Sequence, residues 1–161
     1  MRRFALLVVL LCCLFASATA QEVMVGATDT ESYMPLVEGK RVAILANHTA
    51  MYSSEEHIVD MMHREGVNIV GIFSPEHGFR GSVEAGEKVK NSVDERTGIP
   101  ILSLYDGNTQ RPSDDVMRSF DTLVVDMQDV GLRFYTYYIS MVRMIDACAD
   151  FGCAFALLYC R

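Results

Sequence analysis

Apolar residues gather along this chain in short unbroken runs, each separated from the next by a polar stretch marked with glycine. Residues 41–46 (RVAILA), 67–73 (VNIVGIF), 100–105 (PILSLY), 122–127 (TLVVDM) and 154–159 (AFALLY) are all of strand length. Continuous runs of this kind, in place of strict alternation, predict strands covered on both faces. Between the first two, Ser53 followed by Glu56 reads as a capping box, with Ile58, Val59 and Met62 as a helical stripe that ends at Gly66. Strand, helix and strand within about 30 residues make a βαβ unit, whose two strands run parallel. Ser113 caps a short helix through Met117, and Met141, Met144, Ile145 and Cys148 form the stripe of a longer helix closed by Gly152. The pattern predicts an α/β fold: a Rossmann-like open, mostly parallel sheet with flanking helices, over residues 36–161.

Three stretches fall outside this alternation. Residues 82–98 are charged and without apolar periodicity, so they read as a long excursion over the edge of the sheet. Residues 21–35 read as an irregular leader, because the first ten are polar and Pro35 weakens a short helix over 31–38. Residues 1–20 read as a signal peptide: Arg2 and Arg3 lead, residues 4–15 are apolar, and Ala18-Thr19-Ala20 is a cleavage site before Gln21. The apolar stretch is shorter than a membrane-spanning helix. Neither Cys12 nor Cys13 follows the small residue that a lipoprotein signal places before its cysteine. A periplasmic or secreted protein without a membrane anchor after cleavage is therefore expected.

Cleavage removes only two arginines from the charged residues, which moves the formal charge from −7 to −9. Such acidity argues against nucleic acid or an anionic membrane surface as a partner, since both reward basic patches. Cys148, Cys153 and Cys160 remain, an odd number, and are expected as small buried apolar residues and not as a disulfide framework.

The candidate chemistry lies in the polar segments that follow the strands. Ser74-Pro75-Glu76-His77-Gly78-Phe79-Arg80-Gly81 brings an acid, an imidazole and a guanidinium together, between glycines that permit unusual backbone angles. A surface ion pair between Glu76 and Arg80 is the purely structural alternative. Asp126 ends the fourth apolar run, where a carboxylate loses hydration at a cost of several kcal/mol unless it is paired or placed at a polar edge. Together with Asn47-His48-Thr49, Tyr105-Asp106-Gly107 and residues 126–133, these loops leave the carboxyl ends of parallel strands, where such sheets bind small molecules. Neither a Gly-x-Gly-x-x-Gly turn nor a P-loop follows the first strand, and no cofactor is expected.

SPEHGFRG, then Thr97-Gly98-Ile99-Pro100 leading into Ser103-Leu104-Tyr105, then Asp126-Met127-Gln128-Asp129-Val130-Gly131 with Arg133-Phe134-Tyr135-Thr136-Tyr137, resembles the exo-β-N-acetylmuramidases, formerly a domain of unknown function. The resemblance covers residues 36–158 in unbroken order. It implies a Rossmann-like domain followed by a smaller C-terminal domain, and release of N-acetylmuramic acid from the non-reducing ends of peptidoglycan fragments. Family members continue with an Asp-Arg-Pro-Asn-Pro segment, whereas this chain ends Leu158-Tyr159-Cys160-Arg161, as a fragment of such an enzyme would.

The resemblance puts the family's catalytic glutamate on Glu76. Glycoside cleavage needs an acid for the leaving oxygen and a second group for the oxocarbenium-like centre. Glu76 is the choice for the acid, with His77 orienting it or relaying a proton, and Asp126 and Asp129 are candidates for the second role. Asn47, Arg80, Gln128, Arg133 and Tyr135 are the candidate substrate-binding residues for muramyl sugars, an arginine suiting the lactyl carboxylate because its planar fork matches two oxygens. Two rivals remain: a non-catalytic sugar-binding or scaffold domain, and a metal-dependent hydrolase using His48, His77 and Asp126. No histidine pair has helical ligand spacing, so no metal is expected.

Overall fold

The computed structural model describes residues 23–81, 91–104 and 111–158. Its elements are α1 (Thr30–Val37), β1 (Val42–Ala46), α2 (Ile58–Arg64), β2 (Ile69–Ser74), β3 (Ser92–Val93), β4 (Pro100–Ser103), α3 (Asp114–Met117), β5 (Thr122–Asp126), α4 (Thr136–Phe151) and β6 (Ala154–Leu157). The six strands form one sheet in the order β3-β4-β2-β1-β5-β6. All neighbours pair in parallel except β3 with β4. The expected α/β architecture is present, and its five parallel strands are the five apolar runs.

Alternation along the strands sends successive side chains to opposite faces. Val42, Ile44, Ile72 and Val124 join Tyr33 and Val37 of α1 and Ile58, Val59, Met61 and Met62 of α2 in one core. Ala43, Leu45, Phe73, Leu123 and Val125 join Met117 of α3 and Met144, Ala147 and Cys148 of α4 in the other. Every residue of β1 and β5 is buried, because helices cover both faces. Burial of a Leu or Ile side chain contributes about 1.5–3 kcal/mol, so these two central strands anchor the domain.

Four expectations are corrected. The stretch read as an irregular leader contains a 3-10 turn at Gly26–Thr28 and α1, which tolerates Pro35 because Tyr33 and Val37, four residues apart, are both buried. Ser53 does not cap α2: its Oγ accepts from the amides of Glu55 and Glu56 in a separate turn, and His57 caps the helix. The excursion over 82–98 includes β3, held against β4 as a short edge strand. Ile145 lies on the solvent side of α4, whose buried face is Tyr137, Ser140, Met144, Ala147 and Cys148. Cys148 and Cys153 are free thiols, with Cys148 buried, whereas Cys160, Tyr105, Asp106, Gly107 and residues 1–20 lie outside the described residues. Among the described residues no helix is long and apolar enough to cross a membrane.

Candidate active site

The chain winds from β1 outward to β2 and β4, then returns to β5 on the other side of β1. The strand order therefore reverses between β1 and β5, and beyond the carboxyl ends at such a reversal open α/β sheets bind their ligands. Asn47 follows β1, Asp126 ends β5 in register with Ala46, and the Glu76 turn follows β2 next to β1. Three of the four expected loops thus meet at one place.

Asn47 is fully buried. Its Oδ1 accepts from the Thr49 amide at 3.1 Å and from Thr49 Oγ1 at 2.5 Å. Thr49 Oγ1 in turn accepts from the Gln128 amide at 3.2 Å, which ties the loop after β5 to the loop after β1. With Oδ1 fixed, the amide nitrogen of Asn47 is aimed the other way, and among the described residues it makes no full hydrogen bond. It lies near enough to the Tyr137 phenol to favour its ionised form, although burial, Tyr135 and Glu76 together push that phenol above its ordinary value. The Tyr137 ring meets His77 edge-on at 6.5 Å and Tyr135 at 5.1 Å. Asn47, Glu76, His77, Tyr135 and Tyr137 accordingly form one polar and aromatic cluster.

Glu76 and His77 occupy a tight turn, and His77 has φ +72°, the left-handed region that costs a non-glycine residue about 1 kcal/mol or more. Gly81 closes the same loop at φ +71°, where a Cβ would lie 3.0 Å from Cβ and Cγ of His48. Only glycine lets the Glu76 loop lie this close to the loop after β1.

Arg80 faces carboxylates of the protein itself. Its Nε and Nη2 donate to Asp94 at 2.8 Å each, and Nη1 and Nη2 donate to Asp60 at 3.1 and 2.7 Å. Four of its five N–H groups are used this way. Arg80, expected to bind substrate, is engaged by the protein's own carboxylates as a strut that joins the Glu76 loop to α2 and to the turn after β3. Burial raises the Asp60 and Asp94 carboxyls, but the hydrogen bonds from Arg80 outweigh it and hold both below the usual carboxylate range.

Asp129 is likewise engaged by the protein itself. One carboxylate oxygen accepts from the Gly131 amide at 2.7 Å and the other from the Tyr138 amide at 3.2 Å, so it caps the first turn of α4. A carboxylate occupied in this way is placed for structure. Gln128 and Arg133 are exposed on the same loop beside Val130, Leu132 and Phe134, the last 78% exposed. Arg133, unlike Arg80, makes no hydrogen bond or ion pair among the described residues and remains available to an anion.

Asp126 lies on the α1–α2 face of the sheet, two residues beyond Val124, and is 7% exposed. Its Oδ2 has no hydrogen-bond partner among the described residues. Burial alone pushes its carboxyl up to about 7. A folded value above the unfolded value of about 3.9 means the unfolded chain gives up its proton first as pH rises, so stability falls between roughly pH 4 and 7. Asp126→Asn is expected to flatten that fall and to be more stable than wild type at pH 8 by on the order of 4 kcal/mol. Urea unfolding at pH 4.5 and pH 8 measures it; an unchanged slope would show that Asp126 ionises freely in the folded protein.

Among the described residues no three His, Cys, Asp or Glu side chains gather as a metal-binding group, so the reading built on His48, His77 and Asp126 has no donor set. The residues that sequence reasoning missed are His57, Asp60, Asp94 and Thr49, together with Tyr137, which sat inside a quoted motif without a role.

Residues 42–159 match the family model described as exo-beta-N-acetylmuramidase NamZ, N-terminal. The chain is 36% identical over 127 residues to the peptidoglycan beta-N-acetylmuramidase NamZ of Bacillus subtilis, covering 78% of this chain and 30% of that protein. Two solved structures of DUF1343 family proteins from Bacteroides fragilis are also similar. One has a TM-score of 0.73 at 47% identity, over 86% of this chain and 35% of the other. The second has a TM-score of 0.75 at 33% identity, over 84% of this chain and 34% of the other. The chain spans about a third of the length of each of these relatives.

Proposed function

This chain belongs to the exo-beta-N-acetylmuramidase NamZ family, whose N-terminal domain it matches over residues 42–159, and from that premise we propose that it carries the catalytic half of a glycosidase releasing N-acetylmuramic acid from the non-reducing ends of peptidoglycan fragments. The observation that carries the reading is the strained Glu76-His77 turn at the end of β2, set against Tyr137 and the buried amide of Asn47 beside it. Half-burial beside an aromatic wall places Glu76 where it can hand a proton to a leaving oxygen. His77, fixed by its turn and by the edge of Tyr137, orients that carboxyl.

Asn47, buried beside Tyr137, orients that phenol toward a sugar hydroxyl or the carbonyl of the 2-acetamido group. Tyr135 supplies an apolar face for the ring, and Arg133 is the arginine that meets the lactyl carboxylate. Asp126, at the switch point, is the remaining candidate for the second group, unless the acetamido group of the substrate serves. Neither role needs a cofactor.

Incubating the protein with p-nitrophenyl β-N-acetylmuraminide tests the reading by release of p-nitrophenolate. Turnover supports the glycosidase. Saturable binding without turnover favours a sugar-binding domain that has the sheet and the loops but not the chemistry, and neither binding nor turnover overturns both.

The protein acts outside the cytoplasm, where peptidoglycan is, after cleavage before Gln21. N-terminal sequencing of exported material is expected to begin at Gln21. A secreted fraction that retains Met1 would contradict it.

A further inference from the structure

We infer that His57, supported by Arg80, is a positioning residue of this site: it sets the backbone of Asn47, and through it the direction of the Asn47 side-chain amide. The inference rests on the glycosidase reading for its catalytic consequence but on geometry alone for the positioning. His57 is 5% exposed and lies between three segments. Its Nδ1 accepts from the Val59 amide at 3.3 Å, which caps α2, and its Nε2 lies 2.9 Å from the Asn47 carbonyl oxygen. An amide can only donate and a carbonyl can only accept, so the ring is the neutral tautomer with its proton on Nε2. Burial holds its pKa below the ordinary value, in keeping with both nitrogens being engaged.

The ring is held in place from the Glu76 loop. Phe79 meets it edge-on at 5.4 Å, and the Arg80 guanidinium stacks on Phe79 at 4.6 Å. Arg80 is clamped by Asp94 and by Asp60, and Asp60 lies in the first turn of the helix that His57 caps. The contacts close a ring: α2 to the Glu76 loop by Asp60–Arg80, the Glu76 loop to His57 by Phe79, and His57 to Asn47. Asn47 is then fixed at its carbonyl by His57 and at Oδ1 by Thr49, leaving Nδ2 a single direction. A site that is displaced by about 1 Å can lose about 100-fold in rate.

The test compares His57→Phe, which keeps the ring against Phe79 and removes both hydrogen bonds, with His57→Gln, whose amide can still donate to the Asn47 carbonyl. On the aryl muraminide well below the melting temperature, His57→Phe is expected to lower kcat about 10- to 100-fold with KM changed less than about threefold. His57→Gln is expected to recover most of that loss. A lower melting temperature with kcat unchanged in His57→Phe would overturn the inference, as would equal losses in both variants.

A wild-type protein without turnover would count against the glycosidase reading and not against the positioning. In that case the side-chain amide resonance of Asn47 decides: it is expected to shift in His57→Phe and to return toward its wild-type position in His57→Gln. An unmoved resonance would overturn the positioning.

Discussion

Glu76→Gln is expected to lower hydrolysis of an N-acetylmuramyl glycoside by about 10²- to 10⁴-fold, the usual contribution of a general acid, with fold and sugar binding retained. The amide nearly matches the carboxyl in shape but has no labile proton to give. The dependence on leaving group makes the result specific. A p-nitrophenolate leaves with little protonation, so the defect should shrink on the aryl glycoside and be largest on a sugar alcohol if Glu76 acts only as the acid. An equal defect on both would make Glu76 the group that attacks or stabilises the anomeric centre. Because Glu76 belongs to a half-buried turn whose neighbour is held at φ +72°, a circular dichroism spectrum unchanged from wild type is a necessary control. Near wild-type rates on both substrates would remove Glu76 from the chemistry.

Arg80→Met is the substitution expected to cost the most stability. It leaves the Asp94 carboxylate, with a side chain only 4% exposed, without a cation, and the Asp60 carboxylate, 17% exposed, with Arg96 alone at 3.4 Å. Breaking a buried pair by removing one partner costs about 3–5 kcal/mol, because the remaining charge is stranded away from water. Asp94 is stranded here, while Asp60 keeps Arg96 and some contact with water, so a loss near 4 kcal/mol is the expected balance. Both carboxyls are held below their ordinary range, so the stability they contribute is present above about pH 4 and is lost as pH falls through the folded values. Arg80→Met should therefore also weaken the acid dependence of unfolding. Adding Asp94→Asn to Arg80→Met removes a stranded charge and should recover part of the loss. Urea unfolding of the single and double variants checks both, and a loss below about 1 kcal/mol would mean that the network contributes as little as a surface ion pair.

The parallel sheet was legible because its central strands are buried on both faces, which turns them into unbroken apolar runs. Asp126 was legible for the complementary reason, a carboxylate at the end of such a run. The loops were legible as places and less so as roles. Arg80 and Asp94 are 14 residues apart and Arg80 and Asp60 are 20 apart, and their pairing depends on how α2 and the β3–β4 turn fold against the Glu76 loop. Nothing local distinguishes an arginine paired with the protein from one that waits for a ligand. Asp129 has the same ambiguity, because one of its donors, the Tyr138 amide, lies nine residues away across the start of α4. His57 escaped notice because Ser53 and Glu56 supplied a better capping signature than an imidazole does, and the helix nevertheless begins after the histidine. Tyr137 stands at the second position of α4, where its burial follows from packing and not from any spacing in the sequence.

The most direct test of the central claim is mass spectrometry of the products formed from a disaccharide with β-N-acetylmuramic acid at its non-reducing end and N-acetylglucosamine at the other. The account predicts free N-acetylmuramic acid and N-acetylglucosamine in equal amounts with wild-type protein, and intact disaccharide with Glu76→Gln over the same time. Intact disaccharide with both proteins, or equal release by both, would contradict it.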